Sequence, residues 1–258
     1  MKWASQRQLF YLAIFLMAVL LFSAVFIFPH FQKAPTCFDG KQNGNETGID
    51  CGGSCEAACF FEANNISIRW VRAFPAANNV YNVLAYAENQ NANLGVKNIS
   101  YEFDLYDADN VFIARRTGST FVGPNSKVAI FEAGIDVGNR VPKRTSFAFL
   151  EDPKWVKIDS RTEKLPIYVT DNKLSALDIA PHLDSTVVNN SIYDISNLDI
   201  VAVLYDSDGN AIGISKTLLD ALPKNSSQKI FFTWNAPFTA ASDKIEIIPR
   251  VNVFSISF

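Results

Sequence analysis

The hydrophobic pattern of this chain divides it into three regions. Residues 9–28 read LFYLAIFLMAVLLFSAVFIF, a run in which only Tyr11 and Ser23 carry a polar side-chain atom. Residues 29–60 are polar and rich in cysteine, glycine and asparagine. In the remainder, apolar and polar positions alternate with the period of two that marks a half-buried β-strand. The pattern therefore predicts an apolar helix, a short neck and a mainly β region.

The apolar run is long enough to span a membrane. Its twenty residues, at a rise of about 1.5 Å each, cover the roughly 30 Å hydrocarbon core of a bilayer. Lys2 and Arg7 precede the run, which favours a cytoplasmic N-terminus. A cleaved signal peptide is the alternative, but the run exceeds the roughly 7–15 apolar residues of such peptides and no A-x-A-like site follows. We expect a single-pass cell-membrane protein that is extracytoplasmic from Lys33 onward.

All four cysteines lie in the neck, at Cys37, Cys51, Cys55 and Cys59. Clustered cysteines in an oxidising compartment, with little core around them, favour disulfide bonds. Three pairings are open, and the sequence does not choose among them. Zinc is the alternative, although the spacing lacks a C-x2-C knuckle. We expect two disulfides.

Acidic and amide side chains stand between these cysteines, at Asp39, Asn43, Glu46 and Asp50. Oxygen ligands on a glycine-bent loop suit Ca²⁺, although the spacing is not that of an EF-hand. The alternative is a loop whose side chains accept hydrogen bonds from their own backbone. We favour the second interpretation and keep Ca²⁺ as a candidate cofactor.

From Cys37 to Cys59 the neck reads C-x-D-G-x-x-N-G-x-E-T-x-x-D-C-G-G-x-C-x3-C. This pattern resembles a short disulfide module found near membrane anchors or between domains of microbial surface proteins. The resemblance implies an extracellular spacer and covers about a tenth of the chain. The gap between the last two cysteines is often shorter in that module, so the resemblance leaves the pairing of Cys59 open.

The region after residue 60 predicts antiparallel β-sandwiches. Residues 99–105 alternate strictly, and residues 81–87 fit the same pattern less cleanly. Turn-forming clusters separate such runs at 75–79, 89–93, 107–110 and 123–126. Short strands with turns at this spacing are typical of sandwiches. We expect the strand formed by residues 99–105 to place one face on a core and the other in water.

An internal repeat divides this region. LYDADN at 105–110 recurs as LYDSDG at 204–209, and Pro124 and Pro223 follow at the same distance from each copy. The repeat predicts two tandem Ig-like β-sandwich domains, residues 61–162 and 163–258, joined within 159–166.

The first copy reads Phe103-Asp-Leu-Tyr-Asp107, which resembles the FxLYD-like family of bacterial and archaeal extracellular β-sandwiches. The second copy departs from that signature, because Ala202 stands where Phe103 stands in the first. The whole arrangement also resembles anchored proteins of candidate-phylum bacteria. The resemblance implies a fold and a location, and no ligand.

Candidate chemistry is sparse. Asp107 with Asp109, and Asp206 with Asp208, could be halves of Ca²⁺ loops, but Asp-Gly between apolar runs is a hairpin signal. His182 lacks a nucleophile motif such as G-x-S-x-G nearby. A glycosidase carboxylate pair stays open without distances. We expect no catalytic residues and no enzyme.

Charge excludes one class of partner. The net charge is −3, and Lys and Arg are scattered singly after the apolar run. Nucleic-acid binding needs a clustered basic surface, so we expect none.

Two loops are candidates for recognition, because sandwich loops carry function and Arg and Trp are frequent interface anchors. They contain Arg140 and Trp155. The alternative for Trp155, and for Trp234, is packing on its own sheet.

The sequence thus predicts a membrane-anchored surface protein that acts as a non-catalytic binding or structural module. Its partner would be a protein or glycan at the cell envelope. The alternative is an accessory subunit of an envelope assembly, such as a pilus or secretion system.

Overall fold

The computed structural model describes residues 2–23, 36–158 and 165–256. The chain forms two compact units that divide between Cys55 and Glu56. The first contains helix α1 and most of the neck, and the second contains all thirteen strands of the described residues. The prediction of a mainly β, antiparallel protein is therefore confirmed.

Helix α1 covers Lys2–Phe22. The large apolar side chains of residues 9–22 are exposed on every side of it, as in a helix with no polar stripe. Within the described residues, no helix is long and apolar enough to cross a membrane. The predicted transmembrane segment 9–28 is thus not supported by the structure, and its residues 24–28 lie outside the described residues.

The neck is held by disulfides, as predicted. Cys37 bonds to Cys55 across 18 residues, and Cys51 and Cys59 are also disulfide-bonded. These bonds consume the thiolates that a zinc site needs. The Cys37–Cys55 bond also selects one of the three pairings that the sequence left open.

The first β-sandwich, which we call domain 1, contains seven strands. They form two antiparallel sheets, β1-β2-β5 and β4-β3-β6, with β7 paired to β3. The strands are β1 Ser67–Ala77, β2 Val80–Asn89, β3 Leu94–Tyr106, β4 Phe112–Val122, β5 Ser126–Asp136, β6 Arg144–Phe149 and β7 Trp155–Lys157.

The second β-sandwich, domain 2, repeats this order. Its sheets are β8-β9-β12 and β11-β10-β13, so each strand from β8 to β13 takes the place of its counterpart from β1 to β6. The strands are β8 Ile167–Ser175, β9 His182–Asn189, β10 Ile195–Tyr205, β11 Ala211–Leu222, β12 Ser226–Thr233 and β13 Lys244–Arg250. The repeated sequence motif therefore corresponds to a repeated topology. Residues 159–164, in the predicted joint, lie outside the described residues.

The repeated Leu-Tyr-Asp motif forms the hairpin that closes β3 on β4 and β10 on β11. Oδ1 of Asp107 accepts hydrogen bonds from the backbone N–H groups of Asp109 and Val111, at 3.0 and 2.9 Å. Asp206 does the same for Asp208 and Asn210, at 3.0 and 2.8 Å. These bonds define the turn that the sequence predicted in preference to a metal loop.

A buried asparagine at the end of β2 and β9 is a second shared device. Nδ2 of Asn89 donates to the carbonyl oxygens of Leu94 and Gly123, at 2.8 and 2.7 Å. Asn189 donates to the carbonyls of Tyr193 and Leu222 in the same way, at 2.9 and 3.1 Å. Each asparagine thereby satisfies backbone carbonyl groups of two segments that adjoin the end of its strand.

Each domain has its own hydrophobic core between its two sheets. Phe103 and Ile130 are central to the first core, and Ile200 and Phe232 to the second. A third core lies between the domains, where sheet β1-β2-β5 packs against sheet β11-β10-β13. It contains the following buried side chains: Phe74, Leu84, Tyr86, Ala129, Phe131, Val201, Val203, Ala211, Ile214 and Ile248.

The third core buries strands on both of their faces. On β2, Val83 and Ala85 face the core of domain 1 while Leu84 and Tyr86 face domain 2. The central strand of each interface sheet is therefore buried on both faces. The two sandwiches consequently form one compact unit.

The replacement Leu84→Ala tests the third core. Leu84 has no exposed surface, and deleting a buried leucine leaves a cavity, so we expect a loss of about 2–5 kcal/mol in the free energy of unfolding. Chemical denaturation measures it. The matched control is Leu218→Ala on β11, where Leu218 is 54% exposed and the expected loss is within about 0.5 kcal/mol. Equal losses from both variants would contradict the packing of Leu84 between the sheets.

Candidate binding site between the two sandwiches

The interface between the domains contains a half-buried polar network around Glu246 of β13. Tyr86 donates to Oε1 of Glu246 at 3.1 Å, and Tyr205 donates to Oε2 at 3.2 Å. Lys127 of β5 forms an ion pair with the same carboxylate. Tyr86 and Lys127 belong to domain 1, whereas Tyr205 and Glu246 belong to domain 2. The carboxylate therefore joins the domains by polar bonds.

The charge state of this network follows from its surroundings. Burial alone would raise the pKa of Glu246, but the bonds from Lys127, Tyr86 and Tyr205 outweigh it and lower the pKa below its ordinary value of 4.5. Burial, with Glu246 as the next cause, raises the pKa of both tyrosines. At neutral pH Glu246 is thus ionised and both tyrosines keep the protons they donate.

Aromatic stacking extends the network. The ring of Trp70 stacks on Tyr86 with centroids 5.5 Å apart and meets Tyr205 edge-on at 6.5 Å. Such arrangements add to the free energy of apolar burial. Trp70 therefore contacts aromatic side chains of both domains.

Beside this network the two domains leave a cleft of about 260 Å³. Its walls come from β1 of domain 1 and from β11 and the loop after β12 in domain 2. Three aromatic rings line it, those of Phe74, Trp234 and Phe238, together with the amides of Asn82 and Asn235. Clefts at domain interfaces with aromatic walls and a few polar groups are the usual setting of ligand sites.

Trp234 and Phe238 form the aromatic wall on the domain 2 side. Their rings meet edge-on with centroids 5.2 Å apart. A Cβ atom added to Gly213 would lie 2.6 Å from the ring of Phe238, so only glycine lets this pair lie against β11. The indole N–H of Trp234 is buried and has no hydrogen-bond partner in the described residues. An orphan donor of this kind costs about 1–3 kcal/mol.

Arg72 supplies the charge of the cleft. Among the described residues that line the cleft, it is the one ionisable side chain. One guanidinium nitrogen donates to the carbonyl of Ala211 at 2.6 Å, which crosses the domain interface. Arg72 makes no ion pair with any residue that the structure describes. Within the described residues its guanidinium makes no further hydrogen bond, so donors remain for a ligand.

The predicted binding anchors lie elsewhere. Trp155 is 3% exposed and packs in the core of domain 1, which is the alternative considered for it, so it offers no surface to a partner. Arg140 lies on the loop after β5 and forms an ion pair with Asp107 of the neighbouring hairpin. This pairing braces the two loops, and a binding role for Arg140 stays a prediction.

The candidate Ca²⁺ ligands of the neck bond to the loop itself. Asp50 accepts hydrogen bonds from the backbone N–H groups of Asp39 and Gly40, at 2.9 and 2.8 Å. Asp39 accepts from the Asn43 amide at 2.8 Å, and Glu46 accepts from the Asn43 backbone at 3.1 Å. These are the bonds of the turn-forming interpretation, and Ca²⁺ binding stays a prediction.

His182 contacts only ordinary partners in the described structure. Its Nε2 lies 3.0 Å from Oδ1 of Asp184, and its ring stacks on Phe231 at 5.7 Å. Both contacts lie on the outer face of domain 2, and His182 lines none of the described pockets.

The interface between the two domains was not predicted, although two apolar runs in the sequence indicate it. Residues 83–87 read VLAYA and residues 200–204 read IVAVL, without a polar interruption. A continuous apolar run of this length marks a strand buried on both faces. For Arg72 and Asn82, in contrast, nothing in the sequence indicates that they share a cleft.

No family model and no curated protein matches the chain. Among solved structures, red sea bream transglutaminase is similar at 8% identity and a TM-score of 0.26, covering 73% of this chain and 29% of that one. A β-glucuronidase from glycoside hydrolase family 2 is similar at 10% identity and a TM-score of 0.21, covering 61% of this chain and 20% of that one. The chain thus spans less than a third of either protein, and at these scores the likeness carries no argument.

The replacement Glu246→Gln tests the polar network through its pH dependence. Because the folded pKa of Glu246 is lowered, its charge stabilises the fold above pH 4.5, and this contribution is lost as the pH falls through the folded pKa. We expect the variant to unfold about 1–2 kcal/mol more easily at neutral pH, with a gap to wild type that narrows below pH 4.5. Denaturation curves between acidic and neutral pH measure this gap. The control Glu56→Gln, at a surface pair with Lys97, should leave the acid limb unchanged. A pH-independent gap for Glu246→Gln would contradict the ionised network.

Proposed function

We propose that this protein is a membrane-anchored, extracytoplasmic surface protein whose two β-sandwiches act as a non-catalytic binding or structural module. The observation that supports it best is the third core, which joins the sandwiches into one compact unit. A unit of this kind presents its loops and clefts in fixed relative positions. Display of a binding surface depends on that property, because little conformational entropy is then lost on binding.

The disulfides of the neck support an extracytoplasmic location. Such bonds persist in oxidising compartments and are rare in the cytosol. The bond between Cys37 and Cys55 closes a short, glycine-rich loop that has little hydrophobic core of its own. We assign this loop the role of a covalently stabilised spacer.

The proposed anchor is the apolar segment 9–28. It is apolar throughout, and the part described as α1 has no polar stripe by which it could pack on a globular surface. Lys2 and Arg7 on one side give it a cytoplasmic N-terminus in this proposal.

The same helix favours a second candidate function, that of an accessory subunit of an envelope assembly such as a pilus or secretion system. Its unpartnered apolar side chains, among them Phe10, Phe15 and Leu20, could pack on helices of other subunits. Under the first function the segment serves as an anchor only. Under the second function its side chains recognise the helices of particular partner subunits.

A topology experiment tests the proposed location. Protease added outside intact cells should digest the chain after Lys33, and a tag ahead of Lys2 should stay protected. Full protection of both parts in intact cells, with digestion after lysis, would contradict the proposal. In cells that have not been treated with protease, the whole chain should also sediment with the membranes after they are washed at high pH.

Replacing residues 9–28 with an unrelated transmembrane helix separates the two functions. Display should survive the exchange, since it requires only attachment, whereas assembly should fail. Co-purification of envelope subunits with the native chain but not with the exchanged one would favour the accessory-subunit function.

A further inference from the structure

The geometry of the cleft between the domains points to a ligand, and we propose that it binds a carboxylate-bearing sugar ring, as found in acidic polysaccharides. This inference rests on the proposed role of the protein as a non-catalytic binding module. It names the chemical class of partner that the cleft would take.

An extended peptide added to a strand edge is the first alternative, because β1 and β11 are both edge strands of their sheets. The backbone groups at the cleft are already used, however. The carbonyl of Ala211 accepts from Arg72, and the carbonyl of Ala76 accepts from Asn235 at 2.8 Å. Pro75, which precedes Ala76 on β1, has no N–H to donate. Strand addition is thus blocked on these edges, and recognition must come from side chains.

The side chains of the cleft offer two kinds of surface. Trp234 and Phe238 present apolar ring surface, which suits the C–H face of a sugar ring. The amides of Asn82 and Asn235 border the same space, and the hydrogen-bonding capacity that their bonds to Gly134 and Ala76 leave over suits hydroxyl groups. A volume of about 260 Å³ lies below the usual range for drug-sized ligands, so the cleft fits a single ring.

The charge of the cleft selects an acidic ligand. Arg72 is at the cleft, no carboxylate of the described residues lines it, and no described carboxylate pairs with the guanidinium. The charge of Arg72 contributes to lowering the pKa of Asp206, but the two groups form no ion pair. The oxygens of Asp206 instead accept hydrogen bonds from the hairpin that Asp206 begins. A carboxylate on the ligand would complete the fork of Arg72 with charge-assisted bonds.

Isothermal titration of the full chain in detergent with galacturonic acid trimer tests the proposal, and galactose trimer serves as the neutral ligand. We expect saturable binding of the acidic trimer, at least about tenfold tighter than that of the neutral one. Arg72→Gln should weaken binding of the acidic trimer by about tenfold or more. Arg69→Gln is the matched control on the same strand, where Arg69 pairs with Glu88 at 2.6 Å, and it should bind as wild type does.

Arg72 also donates a hydrogen bond across the domain interface, so its replacement could affect the interface as well as the ligand. A second pair of variants avoids this problem. Phe238→Leu should weaken binding, whereas Phe231→Leu, on the exposed face of β12, should not. Absence of saturable binding up to millimolar ligand would overturn the inference, and so would equal binding of the two trimers. It would also be overturned if Arg72→Gln and Arg69→Gln, or Phe238→Leu and Phe231→Leu, changed binding equally. None of these outcomes alters the topology result, so failure of the sugar site and failure of the proposed surface location are distinguishable.

Discussion

The burial of two sheets on both faces is the constraint on which the β region of this protein depends. Sheet β1-β2-β5 and sheet β11-β10-β13 each face a core of their own domain on one side and each other on the other side. Apolar burial between the two domains therefore stabilises both of them. The Glu246 network and the Arg72 bond to Ala211 lie at this boundary, and both require the two sheets to stay in contact.

The interface is asymmetric, although the two domains share one topology. Domain 1 contributes its first sheet and domain 2 contributes its second. The corresponding outer faces are polar: Glu102 and Asp104 stand where β10 has Val201 and Val203, and both pair with Arg115. Thr186 on β9 likewise stands where β2 has Tyr86. These polar faces offer no counterpart of the apolar surface through which the two domains meet.

The neck and the hairpins show how far local sequence carries. Asp107 and Asp206 accept hydrogen bonds from backbone groups four residues away, and Asp50 of the neck accepts one from a group eleven residues away, so their roles follow from local geometry. The disulfide-bonded state of the cysteines was equally predictable from their clustering. In contrast, the choice for Trp155 between an interface anchor and packing on its own sheet was open, because the pairing of β7 with β3 that buries it is not revealed by spacing alone.

The sequence by itself determined the class of the fold, the repeat and the position of the turns, since these depend on the period of two and on residues close together in the chain. It also contained the continuous apolar runs that mark doubly buried strands. Only the tertiary structure decided which sheets meet and which side chains share the cleft, because Arg72 and Trp234 come from opposite ends of the β region. Long-range packing, which no local pattern records, brings an unpaired cation and an aromatic wall to the same place.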